Sequence, residues 1–289
     1  MVLANFTPHS HLYNTSGSGK TRLSLDGLCH NWGIYISCRD AQIEKTGGSV
    51  DFYVATNQML TWDKDLNSNA KAADRVFAML MCARVFILKQ LLDGIPPSTS
   101  AMTARRRWVL LQAMPPCRQF YPDIFAELIG SIRGGDESLM LDFVRSTLTN
   151  LSKERTDLFP QQGMFLVLDE AQDAAKNHAN CFPSTTDPSQ RRSLLHETYK
   201  SLACMGIFTG IILSGTRLSM DIINVSLGSF SVKEVKPIFE SKISTDTGDF
   251  LDKASQESYV RRYLNVSNCI SDRRFLERIQ HWFKGRYVR

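Results

Sequence analysis

A glycine-rich turn near the start of the chain has the residue types that hold a phosphate group. The pattern G-x-x-x-x-G-K-[ST] is matched at every defined position but the first by Asn14, Thr15, Ser16, Gly17, Ser18, Gly19, Lys20 and Thr21. Small residues let backbone N–H groups approach one phosphate closely, at the positive end of a helix. The stretch therefore predicts a phosphate-binding loop between a short strand and a helix.

Lys20 and Thr21 have separate roles in such a loop. The Lys20 ammonium would reach the β- and γ-phosphates of a nucleoside triphosphate, and the Thr21 hydroxyl would hold Mg²⁺. Arg22 follows directly and is included in the predicted nucleotide-binding stretch. Asn14 stands where the pattern has glycine, and asparagine is among the residues that best tolerate a left-handed turn. The alternative is a serine- and glycine-rich loop followed by Lys-Thr by chance.

An acid pair follows a second apolar segment. Residues 164–168 have no polar side chain, as expected for a central parallel strand, and Asp169 and Glu170 come next. Ligands bind beyond the carboxyl ends of parallel strands, where the phosphate loop also lies. We expect Asp169 to hold Mg²⁺, usually through water, and Glu170 to polarise the water that attacks the γ-phosphate. The alternative is a buried strand that reaches solvent through two acids.

A third apolar segment ends in small polar residues. Residues 208–213 precede Ser214, Gly215 and Thr216. In ATPases with an acid pair of this type, a polar residue at this strand end contacts the γ-phosphate or the attacking water. Thr216 or Ser214 would have this role here. The alternative is a strand that ends in an ordinary Ser-Gly turn.

The elements that must position these groups follow from the hydrophobic patterns. Strand and helix patterns alternate, which predicts βαβ units and a parallel sheet. The predicted strands are 6–14, 32–38, 163–168 and 208–214, with short strands at 50–54 and near 229–240. The predicted helices are 22–31, 67–92, 104–114, 122–133, 137–151, 191–205, 256–263 and 272–284, of which those between 67 and 155 form an all-helical insertion. Residues 177–190 are interpreted as a polar loop.

Composition and charge are ordinary for a soluble protein. The chain has 289 residues, a net charge of +5 and seven scattered cysteines without a C-x-x-C pair. No apolar run approaches the about 20 residues of a membrane span, and no secretory signal opens the chain. We therefore expect an intracellular protein with reduced thiols and no membrane partner. Short arginine clusters favour solvated helix faces over a nucleic-acid surface.

Together these motifs resemble the P-loop ATPase module of crinkler-like proteins of fungi and oomycetes, within the AAA+/STAND class. The similarity includes residues 168–172, 213–219 and the closing stretch 282–287, and it spans about residues 10–288. It implies an α/β, three-layer P-loop NTPase with a central, mainly parallel sheet. Residues 1–250 would form this core, and 251–289 a helical, lid-like segment. It also implies ATP and Mg²⁺ as ligands, with Arg286 sensing the γ-phosphate from the lid.

Several functions remain open at this point. Glu170 favours ATP hydrolysis that drives a conformational switch, whereas Asn14 leaves open a nucleotide-binding switch without turnover. Modules of this kind usually precede another domain, so a third interpretation is a fragment of a larger effector-type protein. A nucleic-acid motor ranks last, because the remaining length holds no second RecA-like domain. A homo-oligomer is a further expectation, with an arginine finger supplied by a neighbour; the candidates are Arg191, Arg192 and Arg217.

Overall fold

A parallel sheet forms the centre of the protein. The computed structural model describes residues 10–13, 19–39, 48–60, 63–114, 123–159, 163–184, 189–215 and 242–244, and the helical positions 254, 257, 261 and 273–278. In this part of the chain the strands are β1 (Ser10–Tyr13), β2 (Gly33–Ser37), β3 (Met164–Asp169), β4 (Phe182–Pro183), β5 (Arg191–Arg192), β6 (Phe208–Gly215) and β7 (Lys242–Ser244). Five of them form a sheet in the order β2-β3-β6-β1-β7, with every neighbouring pair parallel. β4 and β5 form a separate antiparallel hairpin.

Helices connect the strands, so the chain is a mixed α/β protein. They are α1 (Lys20–His30), α2 (Asp51–Tyr53), α3 (Leu66–Asp93), α4 (Ala101–Ala113), α5 (Ile124–Ser131), α6 (Glu137–Glu154), α7 (Ala171–Lys176) and α8 (Leu194–Cys204). A π-helical turn, Val54–Met59, continues α2. The side chains of Asp65, Ser100, Asp123 and Asp136 accept the first backbone N–H groups of α3, α4, α5 and α6. These caps explain where the four helices begin.

Alternating side chains bury both faces of the sheet. On one face, Tyr35, Val167 and Ile212 pack with Leu28 of α1 and Val109 of α4. On the other face, the strands pack against α3, α6 and α8 through Ile34, Ile36, Leu166, Leu168, Ile211 and Leu213. Successive strand side chains point to opposite faces. Burial on both faces therefore explains the apolar runs at 34–36 in β2, 164–168 in β3 and 211–213 in β6.

β2 lies at one edge of the sheet, where side chains of α3 and α4 bond its outer backbone groups. Tyr35 N donates to Gln112 Oε1 at 2.8 Å, and Arg84 Nη1 donates to Tyr35 O at 2.6 Å. Trp108 Nε1 donates to Gly33 O at 2.7 Å. An open strand edge leaves such groups to water or to another chain. Here the helices close that edge instead.

Arg84 is fixed by an ion pair with Asp51, and both side chains are fully buried. Arg84 Nε and Nη2 donate to the two carboxylate oxygens of Asp51 at 2.7 Å and 2.8 Å. The Arg84 guanidinium also lies 4.8 Å from the ring centre of Phe125. A buried charge is tolerated only when it is paired and hydrogen-bonded. This pair therefore connects α2, α3 and β2 through one guanidinium group.

Most predicted elements in the described residues are confirmed, with small shifts at their ends. The strands predicted at 32–38, 163–168 and 208–214 correspond to β2, β3 and β6, and the helix predicted at 67–92 is α3. α8 begins at Leu194 rather than at residue 191, because Arg191–Arg192 pair with Phe182–Pro183. The predicted polar loop at 177–190 thus contains the first strand of a hairpin.

The strand predicted at 50–54 is wrong, because Asp51–Tyr53 is helical and Val54–Met59 continues it. Ser49 Oγ accepts a hydrogen bond from Asp51 N at 3.1 Å, and Asp51 Oδ1 accepts one from Phe52 N at 2.9 Å. These contacts satisfy the backbone donors at a helix start. The apolar pattern alone does not reveal them.

The four helices that were predicted as an insertion lie on both faces of the sheet. α4 contacts α1 and β2, whereas α3 and α6 pack together on the opposite face. The helices predicted at 256–263 and 272–284 overlap the helical positions 257, 261 and 273–278. The short strands predicted near 229–240 lie outside the described residues.

Candidate functional site

The first part of the candidate site lies at the start of α1. Gly19 has φ 88°, a left-handed conformation that glycine adopts at little cost, and α1 begins at the next residue. The side chain of Lys20 is buried, and Thr21 follows it in the first turn. The helix therefore begins two residues before its predicted start at residue 22. Residues 14–18 of the predicted loop lie outside the described residues.

The second part is Asp169, the last residue of β3. Its side chain is buried, and its Oδ2 atom accepts two hydrogen bonds. Thr21 Oγ1 donates one at 2.8 Å and Tyr35 OH donates the other at 2.7 Å. The structure thus brings together Thr21 and Asp169, the two residues predicted as Mg²⁺ ligands from separate motifs.

Tyr35 was not predicted as a site residue. Burial raises the pKa of its hydroxyl well above the ordinary value, and the charge and hydrogen bond of Asp169 raise it further. The hydroxyl therefore stays protonated and remains a donor to Asp169 over the whole physiological pH range. Its position follows from the register of the sheet, because Ser37 of β2 lies opposite Asp169. The feature of the sequence that could have indicated this role is the hydroxyl of a tyrosine within a mainly apolar strand.

Glu170 follows Asp169 in a left-handed conformation, with φ 53°. Such a conformation is uncommon for a residue with a side chain and is found often at functional sites. Both of its carboxylate oxygens have partners. Arg39 Nη2 lies 2.6 Å from Oε1, and Gln172 Nε2 donates to Oε2 at 2.6 Å. Neither Arg39 nor Gln172 was predicted from the sequence.

Two buried hydroxyls find no hydrogen-bond partner in the part of the chain that the structure describes. They belong to Ser214, near the end of β6, and to Ser24, on α1, and both residues are fully buried. Leu168 lies opposite Leu213, so the next residues in register are Asp169 and Ser214. A buried polar group without a partner is rare and needs an explanation. An unpaired hydroxyl beside Asp169 fits a polar ligand at this edge.

The remaining predicted residues are placed as follows. Thr216 and Arg286 lie outside the described residues, as does Arg217. Arg22 is exposed on α1. Arg192 is buried, and its Nη2 donates to Ser184 Oγ at 3.2 Å and to Gln190 Oε1 at 3.0 Å, so it is engaged within its own chain.

The donor set of the site suits one kind of metal better than others. Among the described residues, no group of three or more histidine, cysteine, aspartate and glutamate side chains is arranged to hold a metal. Zn²⁺ sites in proteins need such a group. Mg²⁺ is commonly held by one or two carboxylates together with substrate phosphates and waters. Thr21 and Asp169 fit that second arrangement.

No family model, curated protein or solved structure matches this chain. Among the helices that the structure describes, none has the length and apolar character to cross a lipid bilayer.

Proposed function

We propose that this protein is a P-loop NTPase that binds ATP with Mg²⁺ and hydrolyses it to drive a conformational change. The observation that carries the proposal is the 2.8 Å hydrogen bond from Thr21 Oγ1 to Asp169 Oδ2. It joins the end of the phosphate-loop motif to the acid of the second motif, two segments that are far apart in the chain. A chance match of either motif gives no reason for this contact.

The sheet order supports the same proposal. β1, which leads into the phosphate loop, lies between β6 and β7, while α1 crosses over to β2 at the far edge. In open parallel sheets, ligands bind where the strand order reverses, beyond the carboxyl ends of the strands. Lys20, Asp169 and Ser214 come from α1, β3 and β6 at that end. The relationship to crinkler-like ATPase modules is part of this proposal.

Each residue of the site has a role in this reaction. Lys20 would neutralise phosphate charge, and Thr21 and Asp169 would hold Mg²⁺, with Tyr35 fixing the orientation of the carboxylate. When bound, Mg²⁺ would neutralise charge that develops on the γ-phosphate. Glu170 would accept the proton of the attacking water, and the Ser214 hydroxyl would donate to a phosphate oxygen or to that water. Positioning and electrostatics would therefore supply most of the rate enhancement.

A second function is favoured by the contacts of Glu170. Arg39 and Gln172 each donate to one of its oxygens, and donors to the charged form make a carboxylate a weaker base toward water. A chain in which Glu170 is too weak a base would bind nucleotide and change conformation without turnover. Such a nucleotide-binding switch is the alternative to the ATPase.

The test measures nucleotide binding and phosphate release on the purified protein. We expect Lys20→Ala to weaken binding of a non-hydrolysable ATP analogue at least tenfold, and Glu170→Gln to keep binding but lower turnover by about 10²-fold or more. Lys153→Ala and Glu154→Gln replace exposed residues of the same types and serve as controls. Binding without turnover in the parent supports the switch. Failure of the parent to bind ATP contradicts both functions.

A further inference from the structure

A cleft of about 700 Å³ adjoins the acid pair on the side of β2. Tyr35, Ser37, Asp169 and Glu170 line it at the carboxyl edge of the sheet, and helices α1 and α4 form its two walls. Ligand pockets for small molecules usually have volumes of about 300–1,000 Å³. The cleft is therefore large enough for a ligand of its own.

The walls of the cleft are mainly apolar. α1 contributes Leu25 and Cys29, and α4 contributes Val109, Leu110 and Ala113, each set spaced so that its members share one helix face. Leu110 is 59% exposed, and Met114, at the rim, is 71% exposed. Two large apolar side chains at the mouth of a cleft are typical of a binding site rather than of a solvated surface.

Cys29 is part of the apolar wall. Burial raises the pKa of its thiol, and the neighbouring charge of Asp26 raises it further, while Arg106 and Arg105 act in the opposite direction. A thiol with a raised pKa is mostly protonated near neutral pH and reacts slowly, so its alkylation can be followed over time. Arg105 Nε donates to Cys29 O at 3.1 Å and keeps α4 close to α1 at this point.

Positive charge predominates among the groups at the mouth of the cleft. Arg22 and Arg106 line it from the two walls, with Asp26 as the acid beside them. The acids deeper in the cleft are engaged, Asp169 with Thr21 and Tyr35, and Glu170 with Arg39. Guanidinium groups bind carboxylate, sulfonate and phosphate oxygens in a planar, two-pronged geometry. An anion would therefore be favoured at the mouth.

Thr21, Asp169 and Glu170 line the cleft, so it adjoins the proposed nucleotide site, and the strand order places the two on different sides of the acid pair. The phosphate loop follows β1, and the acid pair at the end of β3 would contact the terminal phosphate. The rest of a nucleotide would then extend from β3 toward β1 and β7. The cleft lies on the opposite side of the acid pair, next to β2.

We propose that the cleft between α1 and α4 is a second ligand site, which takes a small molecule with an apolar body and one anionic group. The body would lie against Leu25, Val109 and Leu110, and the anion would contact Arg106 and Arg22. Because Asp169 and Glu170 border both sites, occupancy of one site changes affinity at the other. This last coupling rests on the proposed function, whereas binding in the cleft does not.

The first experiment uses anilinonaphthalene sulfonate, a fluorescent aromatic anion, with the full chain. We expect one saturable site per chain, weakened at least tenfold by Leu110→Asp, which removes apolar surface and adds a repelling charge. Leu139→Asp is the matched control, because Leu139 is 68% exposed on α6, away from the cleft, and it should change the affinity less than twofold. Arg106→Glu on α4 should weaken binding, whereas Arg133→Glu, at an exposed arginine on the turn after α5, should not.

A second readout locates the probe. We expect the bound probe to slow alkylation of Cys29 at least fivefold, as followed by mass spectrometry of its peptide, while the exposed Cys204 reacts at an unchanged rate. Equal protection of both cysteines, or equal losses of affinity in Leu110→Asp and Leu139→Asp, would overturn the assignment of the cleft as the site.

A third experiment, with a nucleotide, distinguishes a failure of the cleft proposal from a failure of the proposed NTPase function. Lys20→Ala should bind the probe like the parent, because Lys20 does not line the cleft. A non-hydrolysable ATP analogue with Mg²⁺ should change the probe affinity of the parent at least threefold and leave that of Lys20→Ala unchanged. If the parent binds the analogue but its affinity for the probe is unchanged, the proposed coupling between the two sites is wrong. If the parent does not bind the analogue, the proposed function fails while the cleft assignment stands on the probe data.

Discussion

At the scale of single residues, the orientation of Asp169 depends on two hydroxyl groups. Thr21 and Tyr35 both donate to Oδ2, so this oxygen is directed toward α1 and β2. Partners that orient a metal-binding carboxylate affect metal affinity even though they do not touch the metal. Tyr35 is therefore a positioning residue of the proposed site.

Replacing Tyr35 tests this role. We expect Tyr35→Phe to raise the Mg²⁺ concentration needed for half-maximal nucleotide binding by about tenfold, because Asp169 loses one of its two donors. A Mg²⁺ titration at fixed nucleotide measures the effect. Tyr199→Phe, at another buried tyrosine, is the control and should leave the titration unchanged. An unchanged Mg²⁺ requirement in a folded Tyr35→Phe protein would show that Thr21 alone orients Asp169.

Arg39 permits a second test at the same scale. Its ion pair with Glu170 is partly exposed, and such pairs contribute about 0.2–1 kcal/mol. We expect Arg39→Ala to free Glu170 and to raise kcat about two- to fivefold with little change in KM. Arg107→Ala, an exposed arginine of α4, should have no effect. A fall in kcat would instead place Arg39 among the groups that assist the reaction.

At the scale of elements, the edge of β2 is closed by helix side chains rather than by another strand. Arg84 is central to this arrangement, because it bonds Tyr35 O, Gln112 and Asp51 at once. The same strand carries the Tyr35 side chain to Asp169. The ion pair in the helical layer thus supports the geometry of the candidate site on the other face.

We expect Arg84→Met to lower the free energy of unfolding by about 3–5 kcal/mol, because it leaves the Asp51 charge buried without a partner. Urea denaturation measures the change. The double variant with Asp51→Leu removes both charges and should recover part of the loss, whereas Arg107→Met should change stability by less than about 0.5 kcal/mol. A double variant that is less stable than Arg84→Met would show that the pair itself, not the orphaned charge, carries the stability.

The elements also show what the sequence permits one to predict. Strands β3 and β6 were predictable, because they contain the buried apolar runs 164–168 and 211–213. The helix at Asp51 was missed, because contacts of the Ser49 and Asp51 side chains with backbone N–H groups begin it, and the apolar pattern does not reveal them. Thr21 and Asp169 were predictable, because each belongs to a local motif. Tyr35 and Arg39 were not, because their proximity to the acid pair depends on strand register, which no local pattern specifies.

At the scale of the whole molecule, several buried groups resist losing a proton. Burial raises the pKa of the Cys38 thiol and of the Tyr35 hydroxyl well above their ordinary values, and Asp169 adds to both shifts. In the unfolded chain the pKa of a thiol is about 8.5 and that of a tyrosine hydroxyl is about 10. Above these values the unfolded state binds fewer protons than the folded state, so stability falls as the pH rises.

We therefore expect the free energy of unfolding to change little between pH 7 and about pH 8 and to decrease above it, by at most about 1.4 kcal/mol per pH unit for each such group. Urea denaturation under reducing conditions between pH 7 and pH 10.5 measures this slope. Cys38→Ala should reduce the slope, whereas Cys204→Ala, at an exposed thiol, should not. A slope that is the same in both variants would contradict the role of the buried thiol.

The order of the sheet has a consequence for the chain as it leaves the ribosome. Ser10 pairs with Ile212 and with Lys242, so β1 has its partners among the last of the described strands. At about 5–20 residues per second, synthesis of the intervening segment takes about 10–40 s. β2 and β3 can pair before β6 has been synthesised, whereas β1 must wait for β6. Among the strands of the described sheet, β1 is thus the one whose backbone groups wait longest for a partner in the nascent chain.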